Sequence, residues 1–391
     1  MEGIIMTLSH KQRDNKKILA WITSDLQNTM APIIVDLEES TLTLIATTRK
    51  GVYRVAHLTC THHDAAHCVV PATALKPIIM DDTTPITLDD TTLTIGSHRC
   101  PLINTNEDFY APYSNHTVDG SITMSAHDAS LMLMMGIIAR HSMNDHRNLL
   151  LSTVQLMCDD MTHTVDVRAT DSYRMAHSTF PYEGTMNTTD MLRVSDVHAL
   201  ECAKRLTKVA GDTVRCDLIT TEYGKRMLAV YSGHTVSFLD LMNTDTTGIT
   251  DAMIHHFCDS DRYQDNVVLP LSQVTTLLSQ VTTKAKNVLR FMVTSGHYSI
   301  ENVDGKLLSE TVSVEGDGEL TICVDTTFVK EIMSLMSQSH DDMVELAVQK
   351  NKEGSRSRIL RWKNSEVSIA LCGIVAVSYT HLRAHETLRY L

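Results

Sequence analysis

Apolar and polar positions alternate along residues 164–180, TVDVRATDSYRMAHSTF, and predict two strands joined by a tight corner. Val165, Val167 and Ala169 face one way; Asp166, Arg168 and Thr170 face the other. Asp171 and Ser172 make the turn, because short polar side chains bond the local backbone. A second strand then resumes at Tyr173, so the corner carries Thr170, Tyr173, Arg174 and Met175 at a sheet edge. Residues 41–57, TLTLIATTRKGVYRVAH, repeat the arrangement with the turn at Gly51. Ala46-Thr47-Thr48 aligns with Ala169-Thr170-Asp171 at a separation of 123 residues, one domain's length of chain, which points to duplication.

Helical spacing recurs among the strands. Residues 9–12 fit a capping box, with Ile18, Ile22 and Leu26 following on one face. Residues 68–80 predict a short helix that Pro77 limits. Residues 125–140 turn Leu131, Met134, Met135 and Ile138 inward, and Ser195 caps a helix stopped by Gly211. Val274, Leu277, Leu278 and Val281 share a helix face, as do Val329, Ile332, Met333 and Met336 behind Asp325. Strand patterns fill the intervals, giving three units with one order of helix, strands, helix, strands: residues 1–120, 121–243 and 266–377. Residues 244–265, polar, Asp-rich and without period, read as a linker. The class is α+β, with sheets outside and helices gathered on a common side.

With 391 residues, 43% of them apolar, the chain has material for packed cores. No apolar run reaches the roughly 18 residues of a membrane span, and no basic-then-apolar signal pattern opens the chain. Nine scattered cysteines without a CxxC pair fit a cytoplasmic protein with reduced thiols. A net charge of −13 opposes a generally nucleic-acid-binding surface, but the charge is segregated. Lys11, Arg13, Lys16, Lys17, Lys204, Arg205, Lys208, Lys284 and Lys286 fall on helices or at their ends, while Asp pairs at 81–82, 89–90, 159–160 and 341–342 fall in strand-connecting turns.

Catalytic signals are sparse. His62, His63, His67 and Cys68 are metal-ligand types, yet a zinc site needs four convergent ligands, or three with an open position, and this stretch reads as a solvated loop. It leaves a His- and Cys-dependent metalloenzyme as one alternative, beside a duplicated interaction scaffold that never meets DNA. No GxSxG, Walker loop or HExxH occurs. Periodicity alone leaves Arg174 equally an exposed strand arginine or a functional one.

The order of elements and the run ATDSYRMA resemble the beta sliding clamp of bacterial DNA polymerase III. In that family the second domain carries Ala-Thr-Asp, then Gly, His or Tyr, Arg and Leu. Ala169, Thr170, Asp171, Tyr173, Arg174 and Met175 match or substitute mildly, and Ser172 stands for the usual glycine. Arg147 with Leu151-Ser152-Thr153-Val154 resembles the family's upstream Arg and Leu-x-Gly-Val strand. Val69-Val70-Pro71-Ala72 resembles its first-domain helix entry, and residues 104–112, NTNEDFYAP, the end of that domain. The resemblance spans residues 7–377.

It implies a non-enzymatic, cofactor-free and metal-free processivity factor: a head-to-tail homodimeric ring of three-domain subunits, helices lining a hole around duplex DNA, sheets outside. Contacts to phosphates would be weak and sequence-blind. The resemblance places a partner-peptide pocket at Leu151, Thr170, Ser172, Tyr173, Arg174 and Met175, with Arg174 orienting the peptide. The pocket would serve replicative polymerase, clamp loader and repair proteins. It places Arg140, Arg147, Lys204, Arg205, Lys208, Lys284 and Lys286 in the channel, with Gln27 near the family's usual DNA-contacting arginine. Two departures stand out. The family's Phe-Pro-Asp-Tyr linker is here residues 249–257, ITDAMIHHF, without proline or arginine. Its Met-Pro-Met-Arg-Leu ending is replaced by residues 378–391, SYTHLRAHETLRYL, which read as a non-native tail resembling translated sequencing adapter.

Overall fold

The computed structural model describes residues 4–6, 15–26, 31–38, 40–60, 66–77, 86–89, 91–103, 115–140, 149–209, 211–242, 248–259, 261, 263–281, 288–294, 297–302, 312–313, 320–350 and 356–373. The expectations for residues 9–12, Gln27, His62, His63, Arg147, Lys284, Lys286 and residues 378–391 lie outside the described residues, as does the side chain of Lys208.

The first unit contains β1 (Ile4–Met6), α1 (Asn15–Ile22), β2 (Pro32–Glu38), β3 (Thr41–Thr47), β4 (Tyr53–Thr59), β5 (Ala66–Pro71), β6 (Ile86–Leu88), β7 (Thr92–Ile95) and β8 (His98–Pro101). The expected helix at 68–80 is a single 3-10 turn, Ala72–Leu75. The second unit opens with β9 (His116–Ser125), α2 (Ala126–Met134) and α3 (Gly136–Ala139). Then come β10 (Thr153–Asp159), β11 (Thr164–Thr170), β12 (Arg174–Pro181), β13 (Glu183–Thr185) and β14 (Leu192–Ser195). It ends with α4 (Asp196–Val209), β15 (Thr213–Thr221), β16 (Arg226–Ser232) and β17 (Thr235–Asp240). After α5 (Asp251–Phe257), the third unit has β18 (Tyr263–Pro270), α6 (Leu271–Val281), β19 (Val288–Thr294), β20 (His297–Asn302), β21 (Val312–Ser313) and β22 (Leu320–Asp325). It closes with α7 (Thr326–Met336), β23 (Met343–Lys350), β24 (Arg356–Lys363) and β25 (Ser368–Cys372).

The apolar stripes behave as their spacing predicts. Ile18 and Ile22 on α1, and Val329, Ile332, Met333 and Met336 on α7, are buried. Asp325 caps α7 by accepting from the Thr327 amide at 2.7 Å. Two boundaries differ. The strand β9 straddles residue 120, where Asp119 and Gly120 interrupt the alternation and hide it. Gly120 is needed there, because a Cβ would lie 2.1 Å from the Met186 carbonyl oxygen. The helix expected over 125–140 is two, because Met135 ends α2 and Gly136 lets α3 approach α4; a Cβ on Gly136 would sit 3.0 Å from the Asp196 carbonyl oxygen.

Sheets run through the unit boundaries. One has the order β13-β9-β15-β16-β17-β4-β3-β2-β5 and joins the second unit to the first. Another, β14-β10-β11-β12-β25-β24-β23-β18, joins the second to the third. The sheets β1-β6-β7-β8 and β21-β20-β19-β22 belong to the first and third units alone. Behind them the helices form a continuous row: α1 touches α4, α2 and α3 touch α4, α3 touches α7, and α7 touches α6. One apolar core spans the second and third units, and another fills the first.

Both junctions are tied by the same residue. Tyr53-Arg54-Val55-Ala56-His57 on β4 recurs 120 residues later as Tyr173-Arg174-Met175-Ala176-His177 at β12. Arg54, 2% exposed, donates to Glu201 of α4 at 2.9 Å and to the carbonyls of Trp21 and Ser24 at the end of α1, and its guanidinium lies 5.0 Å from the Trp21 ring centre. Arg174, 1% exposed, donates to Glu331 of α7 at 2.8 Å and to the carbonyls of Ile137 and Ile138 on α3, and lies 4.4 Å from the Phe328 ring centre. Each arginine meets the negative end of a helix dipole and a carboxylate of the next unit, which is what makes a buried cation tolerable.

Candidate functional site: a cleft at the second corner

The corner forms by local hydrogen bonding. Asp171 Oδ1 accepts from the amides of Tyr173 and Arg174 at 2.9 and 2.8 Å, and the Thr170 hydroxyl donates to the Arg174 carbonyl at 2.5 Å. Ser172 then has φ of 70°, the left-handed region that favours glycine. That conformation accounts for the glycine of the resembled motif.

The stretch read as an aperiodic linker holds α5, and this corrects the sequence reading. Thr250 caps the helix by accepting from the Met253 amide. Its start is held by the second unit: Gln155 Oε1 accepts from the Ile249 amide at 2.8 Å, and Arg168 donates to the Ile249 carbonyl at 2.6 Å and pairs with Asp251. Its end is held by the third unit, where Gln349 donates to the His256 carbonyl at 2.7 Å and Tyr263 to that of Phe257 at 2.5 Å. Between these ends Ile254 and Phe257 pack on Met175 and Ala370, which are cross-strand partners where β12 meets β25. The floor beneath α5 is therefore the seam between two units.

A cleft of about 750 Å³ opens here. Leu151, Thr170, Ser172, Tyr173, Arg174 and Met175 all line it, so the structure brings the six sequence candidates together. Ile249, Ala252, Met253 and Phe257 form the facing wall, with Ile359 and Ala370 contributed by the third unit. Residues 249–257 thus supply an apolar wall without proline or arginine. An apolar hollow with few polar groups suits a short hydrophobic segment. Arg174 borders the cleft, but its guanidinium is engaged with Asp171, Glu331 and α3, so the role of orienting a bound peptide falls away.

The Arg168 network gives a pH test. Burial opposes ionisation of Asp166, but hydrogen bonds from His177 and Arg168 outweigh it and hold its carboxyl below the usual range. A depressed carboxylate stabilises the fold above its unfolded value of about 3.9, and that stability is lost as pH falls through the lower folded value. Asp166→Asn should therefore be less stable than the parent at neutral pH. Urea unfolding should show the difference shrinking below about pH 4; a gap independent of pH would exclude the carboxylate as its source.

The basic candidates divide. Arg140, at the end of α3, and Lys204, on α4, are exposed. Arg205 is not: it is 1% exposed, donates to Ser237 Oγ at 2.9 Å and the Val230 carbonyl at 3.0 Å, and lies 5.4 Å from the Trp21 ring centre. One residue turns a helix by about 100°, enough to carry Arg205 from the solvated face into the seam with the first unit. Burial pushes its guanidinium pKa down. It braces that seam.

The histidine- and cysteine-bearing stretch entering β5 is described only from residue 66 onward. His67 pairs with Asp36, while Cys68, the next residue on β5, is buried and its thiol is pushed up to about 12 by burial beside Asp36. Successive strand residues point to opposite faces, and a thiol so raised is a poor ligand. Among the described residues no helix is long and apolar enough to cross a membrane.

The fold is that of the bacterial beta sliding clamps. A Pseudomonas aeruginosa DNA polymerase sliding clamp superposes with a TM-score of 0.70 at 16% identity, over 95% of this chain and 99% of that one. The same organism's DNA polymerase III subunit beta bound to griselimycin gives 0.72 at 16%, over 95% and 100%. A Helicobacter pylori beta clamp bound to a DNA ligase peptide gives 0.71 at 12%, over 95% and 99%. No protein-family model matches the sequence, and no curated protein does. The likeness lies in the fold, at an identity where sequence alone is nearly silent.

Proposed function

We propose that the chain is a DNA polymerase processivity factor: two copies close head to tail around duplex DNA, and the cleft tethers replication and repair proteins by short hydrophobic peptides. The observation that carries this is the cleft itself, built at the corner whose residues resemble the clamp motif, on a fold shared with clamps of which one binds a ligase peptide. Polymerase, clamp loader and repair factors would compete for it in the cytoplasm. The chain needs no catalytic residue or cofactor for such a role.

The sheet order supports the ring. The corner strand β4 of the first unit pairs with the last strand of the second, β17; the corner strand β12 of the second pairs with the last strand of the third, β25. Repeating that step once more leaves β21 of the third unit to meet β8, the last strand of the first unit, in another copy. Both lie at the ends of their sheets. A heterologous contact of this kind makes a ring when its rotation closes.

Retention on closed circular DNA tests the reading. The chain, loaded onto a circular duplex, should stay bound and be released on linearising; equal retention on both forms would sink the ring. Changing Arg140, Lys204 and Lys208 to alanine together should reduce the slope of log affinity on log salt by up to about 0.9 per lost phosphate contact. An unchanged slope would remove these residues from the DNA surface.

A further inference from the structure

The geometry points to a transition-metal site that staples the second unit to the third through His127, His340 and Glu366. His127 lies in the first turn of α2, His340 follows α7, and Glu366 lies between β24 and β25. The three come from different parts of the chain, yet their ligand atoms all lie within 4.8 Å of one another. Glu366 divides its carboxylate between the rings: Oε2 is 3.0 Å from His127 Nε2, and Oε1 is 3.4 Å from His340 Nδ1. The rings lie close and tilted, 3.6 Å between centres and 32° between planes.

The two histidine–carboxylate distances match a single small cation. Bonds of about 2.0 Å put two ligand atoms on tetrahedral zinc about 3.3 Å apart. Two neutral imidazoles and one carboxylate are a donor set for zinc and its divalent neighbours, not for calcium or magnesium, which take oxygen. Three protein ligands leave one position for water.

The carboxylate is positioned before any metal arrives. The Glu366 amide donates to Asn364 Oδ1 at 3.0 Å, its carbonyl accepts from Ser178 of the second unit, and Oε1 accepts from the His340 amide at 3.1 Å. The side chains of His127 and Glu366 are 23% and 21% exposed, and that of His340 is 75% exposed. Two ligands are thus preset, while His340 is free to turn its ring onto the ion. Neither the cleft nor any basic helix residue takes part, so the site stands apart from the proposed function.

The test is titration of chelator-treated full chain with ZnCl₂ alone, beside His127→Gln with His340→Gln, and beside Glu366→Gln. Loss of one supporting residue around a metal costs about 10- to 100-fold in affinity, so loss of both imidazoles should cost at least about 100-fold. The parent should bind one zinc more than the double variant, and that zinc should raise its melting temperature. Co²⁺ should give the parent a visible absorption band that neither variant shows. The proposal is overturned if the parent binds no more zinc than the double variant, or if a folded double variant retains the band. Glu366→Gln keeps the side-chain size, so lost binding in a variant that melts normally without metal reports ligation and not folding.

Discussion

Replacing Arg174 with alanine is expected to destabilise the chain by about 3–5 kcal/mol, the penalty for breaking a buried ion pair from one side. Asp171 has no exposed side-chain surface, and Arg174 Nη2 lies 2.9 Å from its carboxylate. Without the guanidinium that charge keeps only backbone donors, Glu331 loses its partner, and two α3 carbonyls lose theirs. An exposed ion pair would be worth about 0–1 kcal/mol, so the size of the loss decides between a solvated strand arginine and an interdomain knot. Lysine should rescue poorly, because one ammonium cannot reproduce a fork that meets two carboxylates and a helix end. Urea unfolding of Arg174→Ala and Arg174→Lys makes the measurement. A loss below about 1 kcal/mol for alanine would return Arg174 to the surface class.

Replacing Met175 with glutamate should largely abolish peptide binding in the cleft. A peptide carrying a leucine and a phenylalanine is expected to bind the parent near 1 μM, about −8 kcal/mol. Met175 is 6% exposed and packs with Ile249, Ile254, Phe257 and Ala370. A carboxylate there faces apolar side chains on every side, and desolvating it should cost at least about 1–3 kcal/mol of affinity. The same change disturbs the seat of α5, so Met253→Glu is the companion. Met253 lines the cleft but is only partly buried, and its variant should fold normally and still lose affinity. Titration of the peptide into all three chains decides. Unchanged affinity in a folded Met253→Glu would empty the cleft of its proposed role.

What the sequence made legible follows from the range of each interaction. Alternation and helical spacing are local, so the corners and the inward faces of α1 and α7 could be read from short windows, while the six cleft residues came from the motif resemblance. The wall of the cleft could not. The helix α5 has seven residues, too few for a sustained period, and its only local sign is Thr250 ahead of Asp251 as a cap with Met253 and Phe257 one turn apart. Its seat is made by Gln155, Arg168 and Gln349, far away in the chain. Arg205 was misread because Lys204-Arg205 looks like a solvated pair until Trp21 of another unit covers one of them. The interdomain role of Arg174 did leave a trace in Tyr-Arg-x-Ala-His, which recurs at Tyr53 and Tyr173. The two turns differ in length, so aligning them on Ala46 and Ala169 puts the arginines out of phase.

The continuous sheets bear on how this chain can be cut. The middle unit alone would expose β17 where it now pairs with β4, and β12 where it now pairs with β25. Two unprotected edges of that kind are templates for aggregation. Excising it would also strip Glu201 from Arg54 and Arg174 from Glu331, leaving unpaired charges at both cuts. In handling the three units are one body: a fragment made at the sequence boundaries is expected to precipitate where the intact chain stays folded.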